Sequence, residues 1–242
     1  VRRVLLALAL MTCPAAAQAA CSDRVFERRS FTVCEAAAGD DLRIFQIGPD
    51  GAPFGTFTRI NDALAAEGQT LGFAMNAGMY HPDRSPVGLM IENGTERARL
   101  VTSDGPGNFG LLPNGVFCIA ERFRVVESRA FAAEAPDCRY ATQSGPMLVI
   151  DGAIHPRFIP DSPSRYIRNG VGVSADGRTA WFVVSRDRVN FTEFARFFRD
   201  GLGSPQALYF DGNVSRLYAP EIGRDDIGFR MGPVVGMVVP AG

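Results

Sequence analysis

The spacing of apolar residues divides the chain into short segments. Asp41–Ile47 (DLRIFQI) alternates polar and apolar side chains, the period-two signature of a strand with one buried face. Phe26–Val33 alternates more loosely and is read as its hairpin partner. Phe57–Glu67 instead repeats Ile60, Ala63 and Leu64 at helical spacing, with Gly68 as the stop. A second helix is predicted over Phe191–Leu202, with Thr192 as N-cap, Glu193 in the first turn, and Phe194, Phe197 and Phe198 as one apolar stripe. That stripe reads as core packing. Eight further strands are predicted at Leu71–Met75, Val87–Glu92, Gly115–Ile119, Met147–Ile150, Gly170–Val173, Ala180–Val184, Ala207–Phe210 and Val234–Val239. Asp151-Gly152 and Asp176-Gly177 are hairpin-turn signals. Many strands, two evident helices and no strand–helix alternation predict an α+β fold. The expected form is a single compact domain with a mixed or antiparallel β-sheet core and a few helices.

The N-terminal segment has a different pattern. Arg2 and Arg3 precede an apolar run from Val4 to Met11, and Ala17 and Ala19 fit a small-residue cleavage site. Residues 1–19 are expected to be a cleavable signal peptide and 20–242 the working domain, placed in the periplasm or secreted. The apolar run is roughly half the ~20 residues a membrane-spanning helix needs. Cys21 follows Ala19-Ala20 in the manner of a lipid-anchor site, but Gln18 stands where such sites carry an aliphatic residue, which disfavours lipidation.

Charge changes the picture mainly by exclusion. Basic and acidic residues nearly balance (25 against 26), so nothing favours nucleic acid or an anionic membrane surface as partner. Every basic residue is Arg, which leaves no Lys nucleophile or base and assigns anion binding to Arg or backbone N–H groups. Cys13 lies in the leader, leaving Cys21, Cys34, Cys118 and Cys138. Four cysteines permit three pairings; Cys21–Cys34 and Cys118–Cys138 are favoured because each closes a short loop. No C-x-x-C spacing occurs and His81 and His155 are the two histidines, so no metal or other cofactor is expected.

The candidate chemistry sits where predicted strands run into turns rich in Gly, Asn and Gln. These are Asn76-Ala77-Gly78-Met79, the stretch from Asn108 to Val116, Thr142-Gln143-Ser144-Gly145-Pro146 and Asp211-Gly212-Asn213-Val214-Ser215. Arg165 and Arg168 lie just before another strand. Any one turn is ordinary hairpin chemistry. Together they offer amides, backbone donors, two arginines and a carboxylate, a set suited to a small hydroxylated anion. Ser144 lacks the G-x-S-x-G elbow of a hydrolase nucleophile.

At these residues the chain resembles the phosphodiester glycosidases. The resemblance rests on Asn76-Ala77-Gly78-Met79, Pro86-Val87-Gly88-Leu89, Gln143 through Val149, Arg168-Asn169-Gly170-Val171-Gly172, and Asp211-Gly212-Asn213-Val214-Ser215, in that order. It departs where Asn213 replaces the second Gly of a DGGxS-type turn. The resemblance implies hydrolysis of a sugar-1-phosphodiester at its anomeric carbon. Asp211 is then the expected nucleophile or general base, Arg168 the phosphate clamp and Arg165 a second one. Asn76 and Gln143 would bind sugar hydroxyls or an N-acetyl group. Gly145, Gly212 and Ser215 would donate to oxyanions, with Gly78, Ser144, Asn213 and His81 lining the site. The expected partner is a small glycosyl phosphate or an envelope glycoconjugate. The competing function class is a non-catalytic saccharide- or phosphate-binding protein on the same fold.

Overall fold

The structure is a computed structural model that describes residues 20–242, and the expected leader over 1–19 lies outside the described residues. The chain opens with a hairpin of β1 (Ala20–Phe26) and β2 (Arg29–Ala37), turned at Glu27 and Arg28 with φ of 46° and 64°. β3 (Leu42–Phe45) is followed by α1 (Phe57–Ala65), which the Thr56 hydroxyl caps by accepting from Arg59 N–H, and by β4 (Gln69–Asn76). Two hairpins come next, β5 (Met90–Glu92) with β6 (Thr95–Ala98) and β7 (Gly115–Ile119) with β8 (Phe123–Glu127). α2 (Ser128–Glu134) leads to β9 (Tyr140–Ser144), β10 (Met147–Ile150) and β11 (Ala153–Ile154). Asp151 and Gly152 turn β10 into β11 with positive φ at both positions, as a two-residue hairpin loop requires. β12 (Asn169–Val173) and β13 (Thr179–Ser185) flank Asp176-Gly177. α3 (Phe191–Arg196) runs into a π-helical turn, Phe197–Gly201. The chain ends with β14 (Gln206–Asp211), β15 (Leu217–Ala219), β16 (Arg224–Asp225) and β17 (Val234–Pro240).

Among the described residues these strands form three sheets whose pairings are all antiparallel. The first runs β1-β2-β13-β12-β14-β10-β11, the second β16-β15-β4-β17-β3 and the third β6-β5-β9-β7-β8. One face of each meets the others in a common core. Phe182 of the first sheet lies 5.3 Å from Phe73 of the second and 5.6 Å from Phe117 of the third. The opposite face of each sheet carries a helix. Phe194, Phe197 and Phe198 pack on Phe31, Val33 and Tyr209; Ile60 and Leu64 pack with Leu71 and Val234; Phe131 packs with Val116 and Cys118. Strand alternation produces this arrangement. In β14, Leu208 and Phe210 face the common core while Ala207 and Tyr209 face α3.

Several expectations are corrected. Phe26–Val33 is not one strand, because the chain reverses at Glu27-Arg28. Asp41–Ile47 contributes β3, whose partner is β17 in another sheet, while β2 pairs with β1 and β13. The cap of α3 is Asn190, not Thr192: Asn190 Oδ1 accepts from Glu193 N–H and Glu193 Oε2 accepts from Asn190 N–H, a complete capping box. Thr192 Oγ1 is buried without a partner. Both favoured disulfides form, Cys21–Cys34 between directly opposed residues of β1 and β2, and Cys118–Cys138 between β7 and the approach to β9. The Cys21 sulfur is therefore committed to Cys34. Among the described residues no helix is long and apolar enough to cross a membrane.

Candidate functional site

The three sheets bring four strand ends together. Asn76 closes β4, Ser144 closes β9, Asp211 closes β14, and Asn169 opens the antiparallel β12 directly opposite Asp211. Fully buried Asn169 is the joint between them. Its Nδ2 donates to the Asn76 carbonyl at 2.8 Å, and its Oδ1 accepts from Asp211 N–H at 3.1 Å and Asn76 Nδ2 at 3.3 Å. Asn76 is equally buried, and its Oδ1 accepts from Arg216 N–H at 3.0 Å. Ser144 Oγ donates to the Phe210 carbonyl and Thr142 Oγ1 to the Ala77 carbonyl, which fastens the third sheet to the other two.

Asp211 is held by its own turn. Its Oδ1 accepts from Gly212 N–H at 2.7 Å and Asn213 N–H at 2.9 Å. Among the described residues Oδ2 accepts no hydrogen bond and the carboxylate has no salt-bridge partner. Burial pushes the carboxyl above its ordinary range, against the opposing pull of the Gly212, Asn213 and Val214 backbone donors. The turn requires glycine at 212, because a Cβ there would lie 2.2 Å from Tyr209 Oη.

Two phenols, Tyr209 and Tyr80, feel the charge of this carboxylate, and each has an arginine for a neighbour. Arg168, 1% exposed, donates from Nε to the Val189 carbonyl, from Nη2 to the Ser164 carbonyl and from Nη1 to Tyr209 Oη at 3.2 Å. Its guanidinium lies 3.8 Å from the centre of the Phe191 ring. With Arg168 donating to it, the Tyr209 oxygen keeps its own proton for another acceptor. Burial, together with the nearby Asp211 charge, raises the Tyr209 phenol further into its neutral form. On the other flank, burial and then the Asp211 charge raise Tyr80, opposed by Arg84 and Arg216. Arg216 is 8% exposed. Burial lowers its pKa, opposed by Tyr80 and Asp226.

The remaining predicted residues divide clearly. Ser215 Oγ lies 3.1 Å from both the Ile167 and Asp211 carbonyls, inside the turn. Gly78, at φ 150°, passes close to Thr142 and Ser144, while Asn213 is exposed at the tip of the Asp211 turn. Gln143 is used internally: Oε1 accepts from Leu89 and Val101 N–H, and Nε2 donates to Val101 O and Ser128 Oγ. Gly145 precedes a cis peptide to Pro146 and packs on Asn114. Arg165 is paired with Glu193 at 2.5 Å, and exposed His81 sits in the Tyr80–Pro86 turn. Asn169, Tyr209, Tyr80 and Arg216 received no role from the sequence. The signals were the position of Arg216 immediately after Ser215 and that of Asn169 immediately after Arg168; Tyr209 and Tyr80 are recognised only once the strand ends meet.

Comparison with known proteins is consistent with this geometry. The profile of the phosphodiester glycosidase family matches residues 69–227, spanning Asn76 to Arg216. The uncharacterized protein YigE of Escherichia coli (strain K12) is 35% identical over 220 residues, covering 90% of this chain and 85% of that protein. Among solved structures, the fold is shared with the catalytic domain of zebrafish N-acetylglucosamine-1-phosphodiester alpha-N-acetylglucosaminidase, determined in a form auto-inhibited by its pro-peptide. The TM-score is 0.61 over 93% of this chain and 84% of that one, at 14% identity.

Proposed function

The chain belongs to the phosphodiester glycosidase family, and from that premise we propose that it hydrolyses the glycosidic bond of a sugar-1-phosphodiester, releasing free sugar and a phosphomonoester. The observation that carries this reading is Asp211: a desolvated carboxylate at a strand end, one oxygen fixed by its own turn, the other without a protein partner.

A glycosidase acting on an alkyl glycoside uses two carboxylates, one of which protonates the leaving alkoxide. A departing phosphomonoester is already a stable anion, since its second pKa is only about 6. One carboxylate therefore suffices for the attack. Asp211 Oδ2 attacks the anomeric carbon or takes the proton of the attacking water, while donors around it meet the departing phosphate oxygens. Tyr209, kept neutral by burial and oriented by Arg168, supplies one such donor. Arg168, engaged on all three nitrogens, clamps phosphate chiefly by its charge and by orienting Tyr209. Asn76 and Asn169 hold the frame in which these groups face one another.

The two disulfides fit an oxidising compartment. Periplasmic or secreted placement would expose the site to envelope or scavenged glycosyl phosphates, the substrate class this reading favours. A panel of chromogenic sugar-1-phosphodiesters tests the proposal: turnover by the wild type, with Asp211→Asn reduced by about two to four orders of magnitude in kcat/KM. Saturable binding of the panel without product would instead favour the saccharide- or phosphate-binding class.

A further inference from the structure

Among the described residues, the buried charged side chains are Arg168 and Arg216, and neither lies within salt-bridge distance of a carboxylate. Removing a cation from water without a counter-charge carries an effective penalty of several kcal/mol. For Arg168 that cost is offset by three neutral acceptors and the Phe191 ring. Arg216 has no such set. Its Nη2 is buried and makes no hydrogen bond, although the residue is 8% exposed. Asp226, the nearby acid, is held by Arg224 at 2.9 Å and by Leu217 N–H at 2.9 Å. A buried guanidinium nitrogen with donors and no acceptor is rare, because the missing hydrogen bond costs about 1–3 kcal/mol and more for a charged group.

Its placement gives this unpaired nitrogen meaning. Arg216 follows Ser215 at the end of the Asp211 turn, and its backbone is fixed to Asn76. Tyr80 feels the charges of both Asp211 and Arg216, so the arginine and the carboxylate share this tyrosine as a neighbour without pairing with each other. Gly228 lies against the guanidinium so closely that a Cβ would come within 3.0 Å of Nη2. That segment is attached at Arg230, whose carbonyl receives the Tyr80 hydroxyl at 3.4 Å, and at Met231, which donates to the Gly55 carbonyl.

We propose that Arg216 is an anion-binding residue of this site, its unpartnered Nη2 donating to a phosphate oxygen of the ligand beneath the Gly228 segment. The inference takes from the proposed function only that the ligand carries a phosphate group. The ligand's phosphate then supplies the counter-charge that no protein acid gives Arg216, near Tyr80. Arginine suits this task because its planar fork meets phosphate oxygens directionally, which a lysine cannot match.

The test uses the full chain with inorganic phosphate as probe, by calorimetry and thermal shift, in wild type, Asp211→Asn, Arg216→Met and Arg216→Lys. Phosphate should bind wild type, and Asp211→Asn at least as tightly, and raise both melting temperatures. Arg216→Met should weaken binding at least tenfold and melt no lower than wild type without phosphate, because it removes an uncompensated buried charge. Arg216→Lys should recover binding only in part. Phosphate affinity unchanged in Arg216→Met, or no binding by the wild type, overturns the proposal. So does a large fall in the phosphate-free melting temperature of both Arg216 variants, which marks a structural arginine. These outcomes are independent of turnover: a protein that binds phosphate through Arg216 yet cleaves no glycosyl phosphodiester retains this inference and loses the proposed function.

Discussion

Asp211 holds its own turn and, in the proposed reaction, carries the chemistry as well. The Asx-type bonds from Gly212 and Asn213 are what a capping aspartate makes, yet they occupy only Oδ1. Burial raises its carboxyl above the ordinary value of 3.8, and two consequences have opposite signs. For stability, a carboxyl raised in the fold favours its protonated form. Its contribution is fully present below the unfolded pKa and is lost as pH rises through the folded one. For activity, the ionised form is needed, so the acid limb of kcat/KM should lie above 3.8, and a limb at or below it would contradict a desolvated Asp211. In thermal melts across the same range, Asp211→Asn should remove this part of the pH dependence while leaving neutral-pH stability nearly unchanged. The Asp211 turn was legible in the sequence because it is a recognisable motif. Arg216 was not, because a lone arginine after a serine looks like surface until Asn76 and Gly228 enclose it.

Elements were readable where their periodicity was clean. Gly115–Ile119 and Met147–Ile150 are strands with the predicted bounds, and the phenylalanine stripe at 194, 197 and 198 is packed in the core. β9 was missed because its last three residues, Thr142, Gln143 and Ser144, are polar yet buried. Their hydrogen bonds run to neighbouring segments, and local patterning carries no trace of that. The β1–β2 turn was missed because it uses Glu27 and Arg28 in place of Gly or Asn. α2 is only seven residues long and buries little besides Phe131, too short for a helical period to register. The cap of α3 can be tested directly. Asn190→Ala should cost about 1 kcal/mol, because it removes the acceptor of the capping box. Thr192→Val should be neutral or stabilising, because it removes a buried hydroxyl that has no partner. Chemical denaturation of the two variants checks this ordering, and equal losses would argue against the assigned cap.

For the whole molecule, the α+β class followed from the count and spacing of strands, which left mixed and antiparallel sheets both open, and the three-sheet arrangement was not foreseen. β2 pairs with β13 and β4 with β17, contacts between distant segments that no local period encodes. That arrangement places one face of each sheet on a common core, one helix behind each, and the ends of β4, β9, β12 and β14 at a single point. The site is thus a product of closure, held by Asn169 and Asn76 and by the Ser144 and Thr142 bonds. The central claim is that water attacks the sugar's anomeric carbon and not phosphorus. Hydrolysis of a sugar-1-phosphodiester in water enriched in heavy oxygen, with mass analysis of the phosphomonoester, tests it most directly. The account predicts a phosphomonoester free of the label, with Asp211→Asn yielding essentially no product. Label in the phosphate released by the wild type would mean phosphorus–oxygen cleavage and would contradict it.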